Sequence, residues 1–92
     1  MKEYLLGTAI KIIALLNVAT PTTATITIED QGSIEKISDV AMTKDADAVY
    51  SYIWQSASTD NTGTYVARLT IVSGGYTAVK EYKMELIKQS DL

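Results

Sequence analysis

The chain has 92 residues, 47% of them apolar, with eight Lys plus Arg against eleven Asp plus Glu and a net charge of −3. That length supports one domain with little interior to spare, so a single domain over residues 1–92 is expected and a large enclosed active site is not. Without a single Cys or His, the chain has no disulfide framework, no thiolate nucleophile, no imidazole base and neither of the leading zinc ligands.

Residues 1–20 open like a signal peptide, with Lys2 ahead of apolar residues, but Glu3 and Lys11 interrupt the run and no stretch reaches the length of a membrane span. A folded strand or short helix is expected there, with no membrane insertion. Over residues 7–17, Ile10, Ile12, Ala14 and Leu16 share one parity while Ile13 and Leu15 hold the other. A strand covered at least in part on both faces fits this pattern. A helix competes, because Leu6, Ile10, Ile13 and Leu16 form a helical stripe, though Gly7 and Thr8 would sit inside it.

Residues 22–29 alternate strictly: Ala24, Ile26 and Ile28 on one face, Thr23, Thr25, Thr27 and Glu29 on the other. This predicts a strand with one buried and one wet face, ending in a turn at Asp30-Gln31-Gly32. Residues 33–43 are less regular and read as a short strand or turn followed by a strand from about Asp39 to Thr43. Residues 44–47 are polar and read as a link. The next strand, residues 48–57, sets Tyr50, Tyr52 and Trp54 on one face and Val49, Ser51, Ile53 and Gln55 on the other.

Past the loop at 59–63, Ser73-Gly74-Gly75-Tyr76 predicts a two-residue hairpin turn, since both glycines accept positive φ. The register follows: Ser73 faces Tyr76, Ile71 Ala78, Leu69 Lys80, Ala67 Tyr82 and Tyr65 Met84. On the opposite face Arg68 meets Glu81 as a cross-strand ion pair. A slip of one residue would bury Glu81, Lys83 and Glu85. Lys80 is the misfit on the apolar face, explained by a bulge or by a stem lying over apolar surface. The competing reading is a C-terminal helix, because residues 80–89 are rich in helix formers.

These elements add up to an all-β domain, an antiparallel β-sandwich of six or seven strands with immunoglobulin-like packing. Chemistry is scarce. Ser and Thr lack a base, no Ser-x-x-Lys pattern or glycine-rich phosphate loop occurs, and no pair of carboxylates is placed in an apolar cleft. No enzyme activity and no cofactor are expected. The acids Glu29, Asp30, Asp39, Asp45, Asp47 and Asp60 raise a calcium site, but they are spread along extended chain and read as solvated loop acids. Scattered charge and a lone arginine, Arg68, weigh against nucleic acid.

Two surfaces are candidates. Val66, Arg68, Val72, Val79 and Glu81 face outward from the last hairpin and suit self-association or a protein partner. Tyr50, Tyr52 and Trp54 would stack on sugar rings if exposed, as a carbohydrate-binding face, or fill the core if buried; the core is expected, because the isoleucines and leucines of the other strands need a facing layer.

Residues 61–67, Asn-Thr-Gly-Thr-Tyr-Val-Ala, resemble the Asp-x-Gly-x-Tyr-x-Cys corner of immunoglobulin domains, with Asn61 in place of the acid and Ala67 in place of the cysteine. The resemblance implies that the Tyr65 hydroxyl bonds to backbone a few residues upstream. A longer pattern takes in the Thr/Ile strand at 24–28, the Asp30-Gln31-Gly32 turn, Tyr50-x-Tyr52-x-Trp54, Gly63-x-Tyr65-x-Ala67 and the Gly-Gly hairpin. It is similar to the immunoglobulin-like sandwiches of bacteriophage tail, baseplate and head-decoration proteins and of prokaryotic surface proteins. What this resemblance implies is a non-catalytic spacer or adhesive module, often in several copies, in a virion or at a cell surface.

Overall fold

The computed structural model describes residues 2–88; Met1 and residues 89–92, at the two ends of the expected domain, lie outside the described residues. Eight strands follow in chain order: β1 (Lys2–Leu5), β2 (Ala9–Leu15), β3 (Thr23–Glu29), β4 (Glu35–Ala41), β5 (Thr43–Ala46), β6 (Val49–Gln55), β7 (Gly63–Ser73) and β8 (Tyr76–Ile87). They form a five-stranded sheet, β1-β8-β7-β3-β4, facing a three-stranded sheet, β2-β6-β5. The all-β sandwich is as the patterning predicts. Among the described residues, those of the two competing helices fall in strands, 9–15 and 76–87, and residue 89 of the second lies outside the described residues.

Alternation accounts for the core. On the larger sheet Ala24, Ile26, Ile28, Tyr65, Ala67, Leu69, Ile71, Met84 and Leu86 point inward; the smaller sheet answers with Ile10, Ile12, Ala14, Tyr50 and Trp54. The aromatic row is therefore interior, with Tyr50 and Trp54 buried and Tyr52 half-buried against the cluster. Trp54 packs on Tyr65 with ring centroids 5.5 Å apart and planes tilted by 39°, a separation within the range of attractive aromatic pairs. The Tyr65 hydroxyl donates to the Asn61 carbonyl at 2.7 Å, the bond that the immunoglobulin corner implies.

The β7–β8 register is the one read from the sequence at every position from Ser73↔Tyr76 to Tyr65↔Met84. Gly74 and Gly75 have φ of +58° and +83°, the two positive values of a type I′ turn. At 12 residues and about 3.3 Å per residue, β8 accounts for most of the 46 Å long axis. Lys80 sits in this register without a bulge, and its ammonium reaches across the sandwich to the Leu15 carbonyl at 2.7 Å.

Several expectations are corrected. Among the described residues there are eight strands, not six or seven, and one pairing is parallel: β1 lies along β8 with Lys2↔Met84. Residues 43–46 are an edge strand rather than a link. Met42 donates its N–H to Ala24 on the larger sheet at 2.9 Å, and the chain then crosses to pair with β6. The strand before it begins at Glu35 because a register shift between Ile37 and Val40, with Asp39 at φ +49°, lets two apolar residues three apart share a face. Thr27, expected in water, is buried; its hydroxyl accepts from the Asp39 N–H at 3.0 Å.

Asp30 is also buried rather than a solvated loop acid. Its Oδ1 accepts from the N–H groups of Gly32 and Ile34 at 2.8 and 2.9 Å, which fixes the β3–β4 turn. The ammonium of Lys36 stands 3.4 Å from Asp60 and 4.0 Å from Asp30, so a lysine already occupies the space between these two carboxylates.

Burial raises the Tyr65 hydroxyl above the usual tyrosine range, and the negative charges of Asp60 and Asp30 raise it further. Because the folded value is the higher one, the stabilisation is complete below the unfolded value of about 10 and is lost as pH climbs through the folded value. Tyr65→Phe is expected to cost about 1 kcal/mol in urea denaturation at pH 7 and to lack Tyr65's share of the stability loss at alkaline pH; unchanged stability at pH 7 would show that the corner bond contributes nothing.

Candidate interaction surface

The outer face of the five-stranded sheet carries the surface read from the sequence. Val66 and Val72 are half-buried there, Val79 is exposed, and Glu81 is exposed. Arg68 forms the expected pair with Glu81, Nε to Oε2 at 3.2 Å, and a second, shorter one with Glu29 at 2.8 Å. The hydrogen bond to Glu29, then that to Glu81, holds the guanidinium more firmly in its charged form. The arginine is thus committed to two carboxylates of its own sheet, and the valines beside it are flanked by Thr25, Thr70 and Thr77. This face is polar, with Val79 its one large exposed apolar side chain.

A more apolar surface lies on the other side of the molecule. Ile13, Leu15 and Ile53 are 51%, 65% and 62% exposed. The β2–β6 register sets Lys11 beside Ile53, Ile13 beside Ser51 and Leu15 beside Val49, so the three large residues share the outer face of the small sheet. The apolar residues on both parities of β2 predict a strand covered at least in part on both faces. The structure corrects this: with only three strands in that sheet and nothing stacked on its outside, the odd-numbered face is open. The signal was in the sequence as apolar residues on both parities, but periodicity cannot say which of two apolar faces meets solvent.

The edge of β2 joins this face. Leu16 donates to Ala48 at 2.8 Å and Ser56 donates to Thr8 at 3.2 Å. In an antiparallel ladder, backbone groups that face the partner recur at every second residue. The even positions Ile10, Ile12 and Ala14 therefore bond toward β6, and Lys11, Ile13 and Leu15 aim their N–H and C=O groups at the open edge. Lys80 meeting the Leu15 carbonyl agrees with this parity.

Between that edge and the larger sheet runs a groove of about 230 Å³, with Ile12, Tyr4, Tyr82 and Met84 among its apolar lining and Lys2, Lys11 and Lys83 around it. Its floor exists because β8 overhangs. Tyr82, Lys80 and Ala78 share the parity of the buried Met84 yet are exposed, since the small sheet ends at β2.

Among the described residues there is no group of three or more His, Cys, Asp or Glu side chains able to hold a metal ion, and no buried side-chain polar atom lacks a hydrogen-bond partner.

The sequence matches no protein-family model and no curated protein. Among solved structures, CopC from Methylosinus trichosporium OB3b is similar over 99% of this chain and 87% of that chain, with a TM-score of 0.68 and 15% identity. Identity this low speaks to the fold alone: the chain shares the CopC-like β-sandwich.

Since the Ile53 side chain stands in solvent, Ile53→Glu is expected to change stability by no more than about 0.5 kcal/mol and to lower the binding of an apolar dye. Urea denaturation and dye fluorescence check this, and a loss several times larger would mean that the face is covered in solution.

Proposed function

We propose that this chain is a non-catalytic interaction module that works through protein–protein contact, as a component of a virion or cell-surface assembly. The observation that carries the reading is the concentration of exposed large apolar side chains, Ile13, Leu15 and Ile53, on one sheet face. Solvated side chains of this size in one patch are the usual mark of a contact surface. The resemblance of residues 8–88, roughly, to phage and surface-protein sandwiches supports the virion or cell-surface setting. The sandwich itself is neutral on this point, because one fold hosts many functions.

The carbohydrate-binding reading loses its platform. Trp54 and Tyr50 are 5% and 8% exposed and form part of the core, so Trp54 emission is expected to be blue-shifted, resistant to quencher and unmoved by glycans. A metal carrier is poorly served by a chain without His or Cys. Millimolar copper(II), zinc or calcium is expected to leave the melting temperature unchanged; a rise of several degrees would contradict the contact-module reading.

The direct test places a photo-reactive residue at Ile53 and, as control, at Gly75 on the far turn, in the cells that make the protein. A discrete adduct with a structural protein from position 53 and none from position 75 is expected. Adducts from neither position, or equally from both, would contradict the reading.

A further inference from the structure

We propose that the open edge of β2 takes up an acidic extended segment of a partner protein, which joins the small sheet as a fourth strand. This rests on the contact-module reading above and names its site and the chemistry of its partner.

The sheet edges differ in how they are guarded. Natural edges are blunted by shortness, charge or a bulge. The first half of β8, residues 76–83, has no strand on its β1 side among the described residues, but this edge carries three charges, Lys80, Glu81 and Lys83. β1 and β5 have four residues each, with Lys2 and Glu3 in one and Lys44 and Asp45 in the other. β4 has seven, but its register shifts and Asp39 takes positive φ. β2 also has seven residues, pairs with β6 without any shift, and carries a single charge, Lys11. Its outward backbone groups at Lys11 and Ile13 stand ready to pair, and the Leu15 carbonyl is already held by Lys80.

A strand laid beside β2 would also have something to cover. Beneath that position lies the overhang of β8, where Ala78, Lys80 and Tyr82 point inward yet are exposed. Tyr4 and Met84 continue the floor. Residues of one parity on the incoming strand would meet this floor, and those of the other would lie flush with Ile13 and Ile53. Main-chain pairing with alternate side chains in pockets is how strand addition combines affinity with selectivity.

Charge selects the occupant. Lys2 and Lys11 line the groove, Lys80 crosses its end, and Lys83 borders it from the outer face of β8 between Glu81 and Glu85, so four of the eight basic residues of an acidic chain gather here. No acidic residue lines the groove, and Lys2, Lys11 and Lys83 form no ion pair among the described residues. A second copy pairing through its own β2 would bring a like set of lysines against these, which is unfavourable. An extended segment alternating acidic with apolar or β-branched residues matches both floor and rim.

The experiment uses the full chain, isotope-labelled, with a ten-residue peptide alternating Glu and Val as probe and its Lys/Val counterpart as control. The Glu/Val peptide is expected to bind saturably and to slow amide exchange at Lys11 and Ile13 by at least about tenfold, and the control is expected to do neither. Ile13→Pro removes an N–H that faces the edge and not β6, so the ladder can persist while binding is lost. Should that variant fail to fold, Lys2→Glu with Lys11→Glu, both exposed, is expected to weaken binding by about tenfold. Equal affinity for both peptides, or unchanged exchange at Lys11 and Ile13, would overturn the proposal. So would slow exchange at these amides that grows with protein concentration alone, which would identify a second copy as the occupant. Failure here with the Ile53 adduct intact removes the edge site and leaves the contact module; loss of both removes both.

Discussion

Three strands cannot cover five, and most of what distinguishes this molecule follows from that mismatch. Stacked sheets exclude water only where they overlap. The small sheet lies over β7 and β3, where Ile26, Ile28, Ala67 and Leu69 are fully buried, and it stops short of the first half of β8. Residues of that strand with the right parity for the core, Ala78, Lys80 and Tyr82, are consequently exposed. The same shortfall leaves β2 as an edge with apolar side chains on both faces. It also gives Lys80, a misfit on an inward face, a use: its stem spans the uncovered strip and its ammonium satisfies a carbonyl of the opposite sheet.

Within the overlap, the two sheets are tied at Tyr65. Its ring fills the centre against Trp54, and its hydroxyl donates to the Asn61 carbonyl in the loop that leads into β7. Gly63, at φ +127°, brings the chain into that corner through a conformation that side chains resist. Gln31 then closes it from the neighbouring turn, its Oε1 accepting from the Thr64 N–H at 3.3 Å. A small domain with no disulfide depends on such local over-determination to select one packing of otherwise interchangeable apolar strands.

The parts of the fold legible in the sequence are those where period-two burial, turn chemistry and charge agree. In the β7–β8 hairpin, Gly74-Gly75, the apolar parity and Arg68 opposite Glu81 each specify the same register, and that register is present. β3 reads as cleanly, apart from Thr27, whose burial depends on a bulge in β4 that no local signal announces. β1 and β5 were illegible because Lys-Glu-Tyr-Leu and Thr-Lys-Asp-Ala carry no alternation; β1 becomes a strand through β8, far along the chain, and β5 through a tight turn onto the neighbouring β6, where Ala46 pairs with Val49. The outward valines of the last hairpin were visible as a candidate surface, but the more apolar face at Ile13, Leu15 and Ile53 was hidden. A strand apolar on both sides looks the same whether it is sandwiched or half bare.

The likeness to the CopC sandwich adds the architecture without the role. The claim on which the account depends is that β2 in the free protein is bonded on one side only. Residue-resolved amide hydrogen exchange on the isolated chain tests it directly. The account predicts alternating protection, slow at Ile10, Ile12 and Ala14 and fast at Lys11 and Ile13; uniformly slow exchange along β2 would mean that its edge is already covered, and uniformly fast exchange that the β2–β6 ladder does not hold.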